Sequence, residues 1–113
     1  MAQVLIIEDD LMFQKVLCRG LEMVGHDPII ADEGLYGLEL LVRVRPDVVL
    51  LDLLLKEGDL NGLEVLARIR DLHPQLPVII MTGYGTVDNA VEAMKRGASD
   101  FIQKPFGIEE ELL

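Results

Sequence analysis

Cysteine occurs once, at Cys18, so no disulfide can form within the chain and no multi-cysteine metal centre can be built. Histidine is nearly as scarce, with only His26 and His73, which excludes a His-rich metal site. Basic residues are half as frequent as acidic ones, 10 Lys+Arg against 20 Asp+Glu, for a net charge of −10. Such a surface should not grip nucleic acid, because phosphate binding needs clustered Lys and Arg. Anionic lipid headgroups should repel it for the same reason. Long apolar runs are also missing. Two of the longest, residues 4–7 and 48–51, are each stopped by an acid. They fall far short of the roughly 18 residues that a membrane helix requires. Met-Ala-Gln-Val at the N-terminus leads straight into a strand-like segment, so no signal peptide is expected. These absences together predict a soluble, reducing, cytoplasmic setting.

Half of the 113 residues are apolar, enough for one packed core and one domain. They recur with a regular beat. Val4-Leu5-Ile6-Ile7 predicts a strand, closed by Glu8-Asp9-Asp10. Phe13, Val16, Leu17, Leu21 and Val24 then fall at helical spacing, with Gly25 as a stop. Residues 26–31 read as a weaker strand, placed at an edge by Pro28. Leu35, Leu38, Leu41 and Val42 stripe a second helix, ended before Pro46. Asp47-Val48-Val49-Leu50-Leu51-Asp52, apolar on both faces, predicts a central buried strand. A polar loop over 56–61 precedes a helix striped by Leu63, Leu66, Ile69 and Leu72. Residues 77–82 form a fourth strand, and Val87, Ala90, Val91 and Met94 stripe a helix that Gly97 ends. Asp100-Phe101-Ile102-Gln103 is a short fifth strand, and Ile108 and Leu112 begin a fifth helix. At about six residues that helix is too short to cover its share of a sheet, so the chain reads as part of a longer one. Met12, Met23, Met81 and Met94 read as core or near-core filler and not as ligands, and Cys18 as a small hydrophobe.

Five βα repeats imply an α/β fold: a doubly wound parallel sheet with helices on both faces. Ligands of such sheets bind outside the carboxyl ends of the strands. Those ends carry Glu8-Asp9-Asp10, Asp52, Thr82 and Lys104. Crowded carboxylates raise one another's pKa unless a cation compensates. An oxygen-only donor set suits a hard ion, Mg²⁺ above all. A Lys and a hydroxyl have no place in a pure metal cage but do suit a phosphoryl group. One Asp would then be a nucleophile. Each residue alone has a plainer reading. Asp10 and Thr82 could cap helices, Asp52 could be a turn residue, and Lys104 could be solvated. The conjunction of all of them at strand ends carries the chemistry.

Four segments in order complete the pattern: Ile6-Ile7-Glu8-Asp9-Asp10, residues 47–52, Met81-Thr82-Gly83-Tyr84-Gly85, and Asp100-Phe101-Ile102-Gln103-Lys104-Pro105-Phe106. They resemble the signatures of response-regulator receiver domains of two-component signalling, over nearly the whole chain. The resemblance implies a flavodoxin-like sheet of strand order 2-1-3-4-5. It implies that residues 1–113 are a receiver domain whose output domain lies outside them. It makes Asp52 the phosphoacceptor. Glu8, Asp9, Asp52 and the backbone carbonyl of Leu54 would be the Mg²⁺ ligands. Thr82 would be the switch hydroxyl, Lys104 the phosphoryl-binding lysine, and Phe101 the aromatic that changes rotamer. A cis peptide would precede Pro105. The implied partner is a sensor histidine kinase or a histidine phosphotransfer protein, with self-association on phosphorylation as one readout. The domain would be a switch in transcription regulation and not an enzyme, catalysing only its own phosphorylation and slow dephosphorylation. Leu54 and Tyr84, flanking the path of an attacking water, would make the phosphorylated state long-lived.

Residues 53–62 depart from the family pattern, being about two residues longer than usual and lacking Pro, which leaves the path of the loop open. Residues 81–95 are fainter in their likeness, to receivers of sigma-54-dependent activators. Two rival readings compete. Thr82-Gly83-Tyr84-Gly85-Thr86 could be a phosphate loop of a flavodoxin or nucleotide binder, but such loops follow the first strand, where three acids here would repel a phosphate. A pseudo-receiver that is never phosphorylated would be expected to lose the acceptor, an acid or the Lys, and all are present.

Overall fold

The computed structural model describes residues 1–56, 58, 60–83 and 87–104, the side chains of 87 and 88 excepted. Five parallel strands, β1 (Gln3–Ile7), β2 (Asp27–Ala31), β3 (Val48–Asp52), β4 (Val78–Thr82) and β5 (Asp100–Gln103), alternate with four helices. These are α1 (Leu11–Met23), α2 (Gly34–Val44), α3 (Gly62–Leu72) and α4 (Val87–Lys95). The strand order is β2-β1-β3-β4-β5, as the resemblance implied. The expected fifth helix, with Ile108 and Leu112, lies outside the described residues.

Strand side chains alternate between faces, so one apolar run feeds two cores. Leu5, Ile7, Val49, Leu51 and Ile80 point into the core beneath α2, α3 and α4, with Leu41, Val65, Leu66, Ile69 and Ala93. Val4, Ile6, Leu50 and Met81 point the other way, against Phe13, Leu17, Cys18 and Leu21 of α1. The Cys18 thiol is pushed up by burial and by the Glu22 charge, which suits an inert packing role. Pro28 sits on edge strand β2, opposite Val4, where a missing N–H disturbs only one ladder.

Helix starts follow local chemistry. Asp10 caps α1, its Oδ1 accepting from Met12 N–H at 2.9 Å. Glu33 caps α2, and Asn61 with Glu64 forms a capping box on α3. The structure corrects several apolar assignments. Met12 and Met23 are more than two-thirds exposed, and Val24, Val42, Leu72, Val91 and Met94 also face outward; of the four methionines expected in or near the core, only Met81 is buried. The sheet covers only one arc of each helix, and α4 meets it through the small residues Ala90 and Ala93, so the larger neighbours are left outside.

The long β3–α3 connection has a defined course at its described residues. Leu55 and Leu60 turn back into the core. Between them Gly58, at φ +86°, passes close to Glu33, where a Cβ would meet the carboxylate at 2.7 Å. At Gly58 the loop thus lies over the start of α2.

At Gly62 the first turn of α3 presses on the chain behind Asp52. A Cβ there would come within 2.5 Å of the Leu53 carbonyl oxygen and 2.6 Å of that of Asp52. Backbone cannot yield as a side-chain tip can, so Gly62→Ala should cost at least about 2 kcal/mol. Gly20, mid-helix and exposed, is the opposite case, since an added methyl would meet nothing within 4 Å. Gly20→Ala should therefore add about 0.5–1 kcal/mol. Urea melts of the two variants check this opposite pair.

Candidate functional site

β1 and β3 are neighbours, and the chain leaves them toward opposite faces, which opens a crevice at their carboxyl ends. There a cleft of about 390 Å³ is lined by Glu8, Asp9, Asp10, Asp52, Leu54, Lys56, Gly83 and Lys104. One carboxylate oxygen from each of Glu8, Asp9 and Asp52 falls within 4.8 Å of the others. Glu8 and Asp52 are buried, and Asp9 is half-buried.

Each acid is held. Glu8 Oε2 accepts from Asp10 N–H at 3.0 Å, and its carbonyl accepts from the buried Gln14 amide at 2.6 Å. Asp9 Oδ2 accepts from Lys56 N–H at 2.7 Å, which ties the long loop to the acid cluster. Asp52 Oδ1 accepts from Leu54 N–H at 3.1 Å. Lys104 comes from beyond β5 and is not a solvated surface residue. Its ammonium pairs with Glu8 Oε1 and lies 3.4 Å from Asp52 Oδ1.

Thr82 is buried but does not line the cleft. Its hydroxyl donates to the Ile102 carbonyl at 3.5 Å, a long bond for O–H···O. Its own carbonyl accepts from Lys104 N–H, so β4 and β5 are tied together next to the lysine. Phe101 stands on edge strand β5 with its ring about two-fifths exposed. Leu54 is half out of the surface at the rim of the cleft. Tyr84 and the bond before Pro105 lie outside the described residues. Sequence reasoning missed Gln14, Phe13 and the Lys56 N–H. Gln14 and Phe13 occupy inward positions of α1, and their neighbour Leu17 gave that face away, but nothing in the sequence says what they touch across it.

The donor set fits a hard divalent cation. Its atoms are all oxygens, two of the three acids are buried, and they crowd more negative charge than one lysine offsets. The Glu8 carboxyl is pushed up from an ordinary value of 4.5 to about 7. Burial is the largest cause; the hydrogen bond from Lys104 opposes it, and the Asp52 charge adds to it.

In metal-free buffer the folded protein therefore keeps a proton on Glu8 between pH 4.5 and 7 that the unfolded chain has released. Stability should fall as pH rises through that window, by about 2–3 kcal/mol for a shift of this size. Denaturation at pH 5 and pH 7.5 measures the slope, and Glu8→Gln should remove most of it.

The family model of the response regulator receiver domain matches residues 4–113. The response regulator protein FleR of Pseudomonas aeruginosa is 39% identical over 105 residues, covering 93% of this chain and 22% of FleR. An NtrX-like response regulator of Rickettsia felis is 36% identical over 103 residues, covering 91% of this chain and 22% of that protein. The chain thus spans about a fifth of the length of these curated relatives. Among solved structures, the receiver domain of NtrX from Brucella abortus superposes with a TM-score of 0.90 at 33% identity, covering 96% of this chain and 91% of that one. A response regulator receiver domain protein from Clostridium thermocellum gives 0.87 at 32% identity, with 98% and 88% covered.

Proposed function

The chain belongs to the response regulator receiver domain family of two-component signalling, and on that premise we propose that Asp52 is a phosphoacceptor. The supporting observation is the convergence of Glu8, Asp9 and Asp52 within 4.8 Å, with Lys104 against two of them. Glu8, Asp9, Asp52 and the Leu54 carbonyl would hold Mg²⁺, which supplies charge neutralisation between acceptor and donor. The contacts of Leu54 N–H and Lys104 with Oδ1 fix the plane of the Asp52 carboxylate. A carboxylate oxygen attacks phosphorus of a phosphohistidine on a kinase or phosphotransfer protein. The P–O bond forms as the P–N bond breaks, and the imidazole nitrogen leaves with the electron pair and takes up a proton. Lys104 turns its ammonium from Asp52 onto the phosphoryl oxygens. The reverse loss, to water, is slow because Leu54 offers no hydrogen bond that would orient one at the rim; Tyr84 would add to that screen.

The 113 residues serve as the input module of a longer cytoplasmic regulator of transcription, a reading supported by the 22% of FleR that they span. The faint likeness to receivers of sigma-54-dependent activators points to that class of output. Neither nucleic acid nor membrane is a partner of this acidic domain.

Asp52→Asn keeps shape and removes the nucleophile. Labelling by acetyl phosphate with Mg²⁺ should give wild type one acid-stable, base-labile phosphoryl group and the variant none. Full labelling of Asp52→Asn would sink the assignment.

The switch runs from Thr82 to Phe101. The 3.5 Å bond to Ile102 is weak enough to be exchanged for one to a phosphoryl oxygen. Drawing the hydroxyl toward Asp52 vacates space beside β5, and the exposed Phe101 ring can turn into it. That remodels the surface of α4 and β5, together with the fifth helix expected from the sequence, where a partner or second subunit reads it. Thr82→Ala should still accept phosphate while amide shift changes at Val91, Met94 and Phe101 fall to about half or less. Undiminished changes at those three positions would rule this route out.

A further inference from the structure

Lys104 has a third neighbour besides the two carboxylates. Its ammonium lies 4.6 Å from the centroid of the Phe13 ring, within the range of a cation–π contact. Phe13 is the third residue of α1 and packs against the core that also holds Ile6, Leu50 and Met81. The ring is therefore fixed by the fold, whereas the four-carbon stem of a lysine is not. Unlike the two carboxylates, it does not compete for protons or metal. Glu8 cannot serve fully both as a metal ligand and as the partner of Lys104, but an aromatic face holds the ammonium whichever carboxylate is engaged. It keeps water from one side of the ammonium and forces no direction on its three N–H donors.

From this arrangement we infer that Phe13 is a positioning residue for phosphoryl transfer, its ring aiming the Lys104 ammonium at Asp52. The inference rests on the phosphoacceptor reading and extends it to α1, which contributes no acid to the cleft. Gln14, the next residue, bonds the Glu8 carbonyl, so the first turn and a half of α1 sets both halves of the Lys104–Glu8 pair.

Two readouts on the 113-residue chain test it. In metal-free protein the Lys104 ε-methylene protons should be shifted upfield by the ring current, and Phe13→Leu should abolish that shift. An unshifted signal in wild type overturns the inference whether or not the protein can be phosphorylated. The second readout uses phenylalanines of increasing fluorination at position 13, which keep shape while weakening the attraction of the ring for a cation. The rate of Mg²⁺-dependent labelling by acetyl phosphate should fall steadily along the series, by about 3- to 10-fold in all. Phe13→Tyr should stay near wild type. In a Lys104→Ala background the series should become flat, an outcome that a purely structural role for the ring would not give. A flat series in the Lys104 protein, with wild type labelling normally, overturns the inference and leaves the phosphoacceptor reading standing. No labelling of wild type at all overturns that reading instead, and the ring-current shift then decides the placement of Lys104 by itself.

Discussion

Buried like charge is the constraint around which this molecule is arranged. Three carboxylates within 4.8 Å of one another repel wherever water cannot screen them, and Glu8 is fully buried. The fold tolerates the cluster by partial measures. Backbone N–H groups of residues 10, 54 and 56 meet the carboxylates, and Lys104 supplies one positive charge. One ammonium cannot neutralise three acids, and the Glu8 carboxyl, pushed up to about 7 chiefly by burial, binds a proton more readily than an exposed one. A cation bound between the carboxylates would relieve that repulsion.

The rest of the fold keeps that cluster from relaxing. β1 and β3 are central strands, covered on both faces, so neither can swing its acids apart. Behind Asp52, Gly62 brings α3 within touching distance of the Asp52 and Leu53 backbone. In front of it, the long loop is fastened to Asp9 through Lys56 N–H and to the core through Leu55 and Leu60. By contrast, β5 is an edge strand, and its link to the Thr82 hydroxyl is a single long hydrogen bond. The carboxylates thus sit at the ends of strands paired on both edges, whereas β5 is paired on one edge only.

Much of this was legible in the amino-acid order because its causes are local. Alternation of apolar runs gave the strands, Pro28 gave the edge, and Asp10 offered a helix cap through side-chain chemistry that acts within three residues. The acids and Lys104 could be placed together because strand ends in a parallel sheet converge whatever the loops do. What could not be read has causes that act across the fold. Val91 and Met94 look like core by spacing, yet Ala90 and Ala93 bring α4 so close to the sheet that the larger side chains have no room beneath it. Gln14 looks like an ordinary surface amide, and its burial follows only from where α1 crosses β1. The loop over 53–62 carried too few proline or length cues to fix its path, which is set by contacts with Glu33 and Asp9 from two other connections.

Lys104 is where these levels meet. Its main-chain N–H is bonded to the Thr82 carbonyl, and its side chain reaches Glu8 and Asp52. A change in what the ammonium binds therefore pulls on the same residue whose backbone anchors β5 to β4. Thr82 shares that geometry from the other side, since its carbonyl holds Lys104 while its hydroxyl holds Ile102. Lys104 thus joins the acid cluster to the end of the β4–β5 ladder, with Thr82 as its backbone partner. Coupling between site and surface then needs no long chain of side chains. The strand that carries Phe101 is fastened to Thr82 and Lys104, the two groups proposed to meet a phosphoryl oxygen.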